Sequence, residues 1–152
     1  MEGERSIELF VTEDSTLNEE KIGIETLERC SRNLLSAINF KKGFYSAGIK
    51  VCDSDSMVEM HKFYMDDASD TDVMAFPSSE DDNYLGDIIV CEDVATKCAE
   101  EFSNNFKAEI QFYCLHGLLH LLGYEDDTEE KKNEMLVLQK DALILEGIEI
   151  NI

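Results

Sequence analysis

Hydrophobic residues follow two different periods along the chain, and the change between them predicts its elements. In "SIELFVTED" (6–14), Ile7, Leu9 and Val11 recur at every second position, which predicts a strand with one buried face. Over 18–38 the apolar residues recur instead at three- and four-residue steps, which predicts an amphipathic helix. The other segments predict strands at 44–53, 71–77 and 84–93 and helices at 54–65, 94–105, 107–122 and 128–147.

One predicted helix, 107–122, is apolar almost all round, as is typical of a buried central helix. No repeat, linker or low-complexity segment interrupts the order of elements. We therefore predict one α+β domain over residues 1–152, in which a small mixed four-stranded sheet is packed with about five helices. A chain of 152 residues with 43% hydrophobic content is large enough to bury a core of this kind.

The charge of the chain indicates which kinds of partner it can bind, and its cysteines indicate the cellular compartment. The chain has 34 acidic against 13 basic residues, a net charge of -21, which favours partners with basic faces and works against direct binding of polyanions. Its five cysteines include no CxxC pair, which predicts reduced, mostly buried thiols. No apolar signal segment or membrane-spanning run is present. We expect a cytoplasmic protein without membrane contact.

The strongest chemical signal is "HGLLHLLGYEDD" (116–127). His116 and His120 stand at i and i+4, so their side chains share one face of the predicted helix. Gly123 can end that helix in a left-handed conformation and turn the chain back. Asp126 then occupies the third-ligand offset of metzincin-type zinc sites, where a carboxylate is an acceptable ligand. The spacing predicts a metal site, and its alternative is a buried, hydrogen-bonded histidine pair.

Neighbouring residues disfavour peptide hydrolysis and a nucleophile triad. Gly117 stands where HExxH zinc proteases carry their general base, which disfavours peptide hydrolysis. We expect this glycine to leave room for a bulky substrate beside the metal. Cys114 lies two residues before His116 and is expected to face the core. A nucleophile triad has no support, because His61 is the one histidine outside the pair.

The motif resembles H-G-x-L-H-L-x-G-Y-D-H, the signature of the YbeY family of bacterial zinc-dependent endoribonucleases in ribosomal RNA maturation. "TDVMAFP", "LGDIIV" and "NEMLVLQ" (133–139) resemble other family segments in the same order, so the resemblance covers roughly residues 44–147. It implies a YbeY-like metallohydrolase domain with one zinc ion, or another divalent metal, per chain. His116 and His120 match the first two family ligands, and Asp126 falls on the third, a histidine in the family.

The resemblance implies an endoribonuclease that hydrolyses RNA phosphodiesters in ribosomal RNA maturation and ribosome quality control. Water activated by the metal would carry the reaction, and no catalytic side chain is identified. Ribosomal RNA would be the substrate, ribosomal or ribosome-associated proteins the partners, and the chain a monomer. Two alternatives stay open: a non-catalytic metal-binding module that contacts ribosome-associated proteins, and a small metallohydrolase with another substrate.

Two departures from the family pattern predict weaker cleavage than in a three-histidine member. Asp126 cancels one charge of a dication, so the metal would acidify water less. Met65 falls on the family's arginine and cannot stabilise negative charge on a phosphoryl group. Asp72 and Asp87, in the matched strands, could orient loops or support the metal ligands from behind, and the alternative is an ordinary hydrogen bond at a strand end.

Overall fold

The computed structural model has its elements in the predicted order. It describes residues 4–65, 73–79 and 83–152, apart from the side chains of 63–65, so the expectations for Met65 and Asp72 lie outside the described residues. The elements are β1 (Arg5–Val11), α1 (Glu19–Ile22), α2 (Ile24–Ala37), β2 (Gly43–Cys52), α3 (Ser54–Met65), β3 (Val73–Pro77), β4 (Tyr84–Cys91), α4 (Glu92–Phe102), α5 (Phe106–Leu121) and α6 (Glu129–Ile144). The predicted α+β class is confirmed, with six helices in the described part of the chain.

The additional helix comes from a break at Gly23 in the segment predicted as one helix. Gly23 has a left-handed φ of 74°, and its N–H closes α1 on the carbonyl of Glu19 at 2.9 Å. From α5, the buried Gln111 side chain donates to the carbonyls of Ile22 and Gly23 at 3.0 and 3.3 Å. The single-helix prediction over 18–38 is wrong because Gly23 takes a left-handed conformation and a side chain distant in sequence binds the Ile22 carbonyl at the break.

The sheet is mixed, as predicted, with strand order β1-β2-β4-β3. β1, β2 and β4 are parallel, and β3 pairs antiparallel with β4 at the edge. α2 and α5 pack against one face of the sheet. On the other face a smaller cluster forms from Cys52, Met57, Met74 and Cys91. None of the described helices is long and apolar enough to cross a membrane.

α5 is buried along most of its length and lies directly on β4. A Cβ at Gly117 would lie 2.5 Å from Ile88 Cγ2 and 3.1 Å from Val73 Cγ2. The expectation that Gly117 leaves room for a substrate is therefore wrong, because this position is closed by the sheet. The glycine allows the helix backbone to approach β4, and this approach fixes the direction of every other face of α5.

The cysteines behave as the sequence predicts. All five are free thiols. Cys114 is buried on α5, and burial raises the pKa of its thiol to about 12. A thiol that stays protonated at neutral pH packs as a small apolar group and is a poor nucleophile or metal ligand.

Candidate metal centre

A tight turn after α5 brings the end of the motif back over the helix. Gly123 has a positive φ of 98°, and its N–H donates to His120 O at 3.1 Å. The Tyr124 N–H then donates to Leu119 O at 3.0 Å. A Cβ at Gly123 would meet nothing within 4 Å, so backbone conformation rather than space explains the glycine. The turn predicted at this position is confirmed.

The turn places three potential ligand atoms at the corners of a small triangle. His116 Nε2 lies 3.1 Å from His120 Nε2 and 3.2 Å from Asp126 Oδ2, and the third side, from His120 Nε2 to Asp126 Oδ2, is 3.7 Å. Ligands about 2.0–2.1 Å from a tetrahedral zinc ion lie about 3.3 Å apart. The triangle therefore matches one face of a tetrahedral site and leaves a fourth position for water or substrate.

The three side chains are partly exposed to solvent, as expected for a metal centre that a substrate can reach. The side chains of His116, His120 and Asp126 are 13%, 28% and 42% exposed, so the open side of the triangle reaches solvent. Within the described residues, these three form the one group of His, Cys, Asp or Glu side chains arranged to hold a metal ion. The structure thus brings together all three residues that the spacing singles out.

Hydrogen bonds fix which nitrogen of each imidazole faces the triangle. His120 Nδ1 lies 2.9 Å from the carbonyl oxygen of Tyr124, which can only accept, so Nδ1 carries a hydrogen. His116 Nδ1 lies 2.8 Å from Gln139 Oε1. Gln139 Nε2 donates to Phe112 O at 3.1 Å, and this bond turns the amide oxygen towards the imidazole. Both histidines therefore donate from Nδ1 and keep a lone pair on Nε2 when neutral.

Two lone pairs and a carboxylate oxygen then face one another within 3.7 Å. Three acceptors at this distance repel one another unless a cation lies between them. A simple hydrogen-bonded histidine pair would need a second proton on one ring, which would make that ring an imidazolium. The donor set therefore fits a divalent ion, with two nitrogen ligands and one oxygen ligand.

The acids beside Asp126 have other partners. Lys131 Nζ lies 3.2 Å from Asp127 Oδ1 and 3.9 Å from Glu125 Oε2. Thr128 Oγ1 accepts from the Lys131 N–H at 3.1 Å and so begins α6. Both flanking carboxylates are thus turned towards Lys131, and Asp126 is the acid of this segment that faces the histidines.

Other candidate residues lie away from the triangle. Asp87 is exposed and accepts from the hydroxyl of Tyr84, while its neighbour Ile88 faces α5. Successive strand residues point to opposite faces, so Asp87 lies on the face of the sheet opposite α5. Of its two expected roles, the structure therefore favours an ordinary hydrogen bond within the strand. His61 is on α3 and outside the three-residue group. Gln139 is fully buried on α6 and ends the segment 133–139 that resembles the family, but the spacing of the motif assigned it no role.

The chain is similar to known proteins along most of its length, in both sequence and fold. A family model described as Endoribonuclease YbeY matches residues 11–146. The chain is 31% identical over 129 residues to Endoribonuclease YbeY of Thermobifida fusca, covering 78% of this chain and 83% of that protein. It is 37% identical over 105 residues to the protein of the same name from Staphylococcus saprophyticus, covering 63% and 69%. The solution structure of TM1509 from Thermotoga maritima shares the fold, with a TM-score of 0.57 at 24% identity over 93% of this chain and 91% of that one.

Proposed function

The chain belongs to the YbeY family, and from that premise we propose that it is a metal-dependent endoribonuclease. In this proposal one zinc ion, or another divalent ion, is held by His116, His120 and Asp126. The substrate is ribosomal RNA, and the reaction is hydrolysis of a phosphodiester. The role in the cell is ribosomal RNA maturation and ribosome quality control.

The observation that carries the proposal is the triangle of ligand atoms with sides of 3.1, 3.2 and 3.7 Å. A divalent ion bound there would supply Lewis acidity towards a phosphoryl oxygen and would make water more acidic. The two imidazoles hold the ion without adding charge, and Asp126 lowers the charge of the centre by one unit. The partly exposed carboxylate leaves the approach from solvent open to a phosphodiester.

We also propose that cleavage is slower than in family members with a third histidine. The carboxylate of Asp126 reduces the charge that can stabilise the transition state. Met65, at the position of the family's arginine, brings no positive charge to the phosphoryl group. Both changes lower the stabilisation of negative charge on the substrate, so they act in the same direction.

The net charge of -21 bears on partners. A surface of this charge favours proteins with basic faces, and we propose ribosomal or ribosome-associated proteins as contacts of a monomeric, cytoplasmic chain. The same charge supports a second candidate function, a metal-binding module that contacts such proteins without cleaving RNA. Both candidate functions require the metal centre, but only the first includes cleavage of RNA.

An RNA cleavage assay combined with elemental analysis tests the proposal. The purified protein should contain one metal ion per chain, should cleave ribosomal RNA, and should lose this activity to a chelator and regain it with zinc. His116→Ala should remove both metal and activity, whereas His61→Ala, a matched change outside the centre, should keep both. Metal without cleavage would favour the binding module, and chelator-resistant cleavage that survives His116→Ala would contradict a metal-dependent enzyme.

A further inference from the structure

One buried amide connects α6 to the candidate metal centre. Gln139 is 0% exposed, and its side chain makes two hydrogen bonds to α5. Its Oε1 accepts from His116 Nδ1 at 2.8 Å, and its Nε2 donates to Phe112 O at 3.1 Å. Phe112 lies one helical turn before His116, so the amide spans a backbone carbonyl and the imidazole that follows it.

These two bonds allow only one orientation of the amide. If the amide were reversed, its oxygen would face the carbonyl of Phe112, and two acceptors would meet without a hydrogen between them. The reversed amide nitrogen would also donate to His116 Nδ1 and move the imidazole hydrogen to Nε2, towards His120. The Phe112 carbonyl therefore orients Gln139, and Gln139 in turn determines the tautomer of His116.

We propose that Gln139 is a positioning residue of the metal centre, which holds the His116 ring so that the Nε2 lone pair faces the cation. The inference rests on the proposed function of His116, His120 and Asp126 as metal ligands. It adds to that centre a residue that lies outside the motif 116–127. Gln139 acts through His116 and touches neither the metal nor the substrate.

The two histidines differ in how their orientation is secured. His120 donates to a backbone carbonyl, that of Tyr124, which no side-chain substitution removes. His116 depends on a side chain, and because Gln139 is fully buried, water cannot readily replace its oxygen. Loss of that acceptor leaves the His116 ring free to rotate or to adopt the other tautomer, and either change turns a proton or a C–H towards the ion.

Gln111 offers a matched control for this effect. It is also a buried glutamine at an α5 interface, with 2% exposure, and it also donates to backbone carbonyls, those of Ile22 and Gly23. Its bonds stabilise the junction of α1 and α2 and do not reach the histidines. Gln139→Met and Gln111→Met therefore remove comparable buried hydrogen bonds, but only the first removes an acceptor from a proposed metal ligand.

Zinc affinity of the full chain, measured by competition with a chromophoric chelator, tests the proposal. Gln139→Met should weaken zinc binding by about 10–100-fold, as is usual for groups that orient a metal-ligating histidine. Gln139→Glu keeps an oxygen for His116 and should bind zinc more tightly than Gln139→Met, although its second oxygen faces the Phe112 carbonyl and should lower the unfolding midpoint. Gln111→Met should bind zinc as the wild-type protein does, even if its unfolding midpoint falls. A folded Gln139→Met protein with wild-type zinc affinity would overturn the inference alone, whereas wild-type protein that binds no zinc would overturn it together with the proposed centre.

A second measurement needs no variant to fold. Two-bond 1H–15N correlation spectra of the metal-free wild-type protein at about pH 8, where an ordinary imidazole is neutral, report the tautomer of each histidine. The proposal predicts that the His116 hydrogen is on Nδ1. A His116 ring with its hydrogen on Nε2 would overturn it.

Discussion

At the scale of single residues, the composition of the ligand set determines the charge of the centre. Two neutral imidazoles and one carboxylate leave a bound dication with a net charge of about +1, against +2 for three imidazoles. A smaller charge acidifies water less and stabilises a phosphoryl transition state less. The proposed ligand role of Asp126, whose Oδ2 lies 3.2 Å from His116 Nε2, therefore predicts that a change of this residue changes the rate.

Replacing Asp126 with histidine should therefore raise the rate of RNA cleavage at neutral pH and extend activity to lower pH. The expected rise is about tenfold for each unit by which the pKa of the activated water falls. Cleavage rates across pH, measured on zinc-loaded Asp126→His and wild-type protein, give the comparison. Asp127→His, which changes the neighbouring carboxylate that pairs with Lys131, serves as the matched control. Identical profiles for all three proteins would contradict a ligand role for Asp126.

The spacing of the motif was sufficient to select the three residues that the structure brings together. His116, His120 and Asp126 lie within one helical turn and the loop that follows it, so local geometry determines their proximity. Gln139 could not be found in this way, because its contact with His116 depends on how α6 packs on α5. The interpretation of Gly117 failed for the same reason, since its closest neighbour belongs to β4.

At the scale of elements, the position of the centre follows from the close packing of α5 on β4. Gly117 sits at the point of closest approach, where an added methyl group would overlap Ile88. His116 and His120 lie on the adjacent side of the same helix, and the His120 side chain reaches the carbonyl of Tyr124 in the turn that follows. A shift of α5 away from the sheet would move both histidines together relative to α6.

Gly117→Ala tests this packing. In an exposed helix interior the change stabilises a protein by about 0.5–1 kcal/mol, but here the added Cβ would lie 2.5 Å from Ile88 Cγ2. Overpacking of this kind typically costs about 1–3 kcal/mol, so the free energy of unfolding should fall. Urea unfolding followed by circular dichroism measures the difference.

An Ile88→Ala background provides the control for that prediction. Removing the Ile88 side chain is itself destabilising by about 2–5 kcal/mol, but it also empties the space that the new methyl group needs. Gly117→Ala should therefore cost less in this background than in the wild-type protein. Equal effects in both backgrounds, or a stabilised single variant, would show that α5 does not rest on β4 at this point.

Local hydrophobic periods predicted the strands and most of the helices because each pattern is complete within one element. The break between α1 and α2 is different. The segment 18–38 has helical periodicity throughout, and the break at Gly23 is stabilised by hydrogen bonds from Gln111, which is far away in sequence. The sheet order, with β4 between β2 and β3, likewise depends on pairing between distant segments.

At the scale of the whole molecule, the acidic surplus is the property that most affects partners and ions. With 34 acidic residues, the surface can attract cations at many places, mostly weakly. Some of these carboxylates already pair with bases, as Glu146 does with Arg29 at 2.9 Å and Asp14 with Lys50 at 2.8 Å. A specific metal centre must therefore be distinguished from diffuse attraction of ions to the acidic surface.

These ion pairs also make the stability of the fold depend on pH. Hydrogen bonds from Asn33 and Arg29 hold the pKa of the Glu146 carboxyl below its usual value, so this group stabilises the fold at neutral pH. Its contribution is present above the ordinary glutamate pKa and is lost as the pH falls through the lower value of the folded state. Acidification therefore weakens the contact between α2 and the segment that directly follows α6.

Anomalous diffraction at the zinc edge tests most directly whether one metal ion is held by His116, His120 and Asp126. Crystals of protein purified without chelator should show one strong anomalous peak per chain. That peak should lie about 2.0–2.2 Å from His116 Nε2, His120 Nε2 and an Asp126 carboxylate oxygen. An empty triangle in zinc-soaked crystals, or a peak held by other residues, would contradict the account.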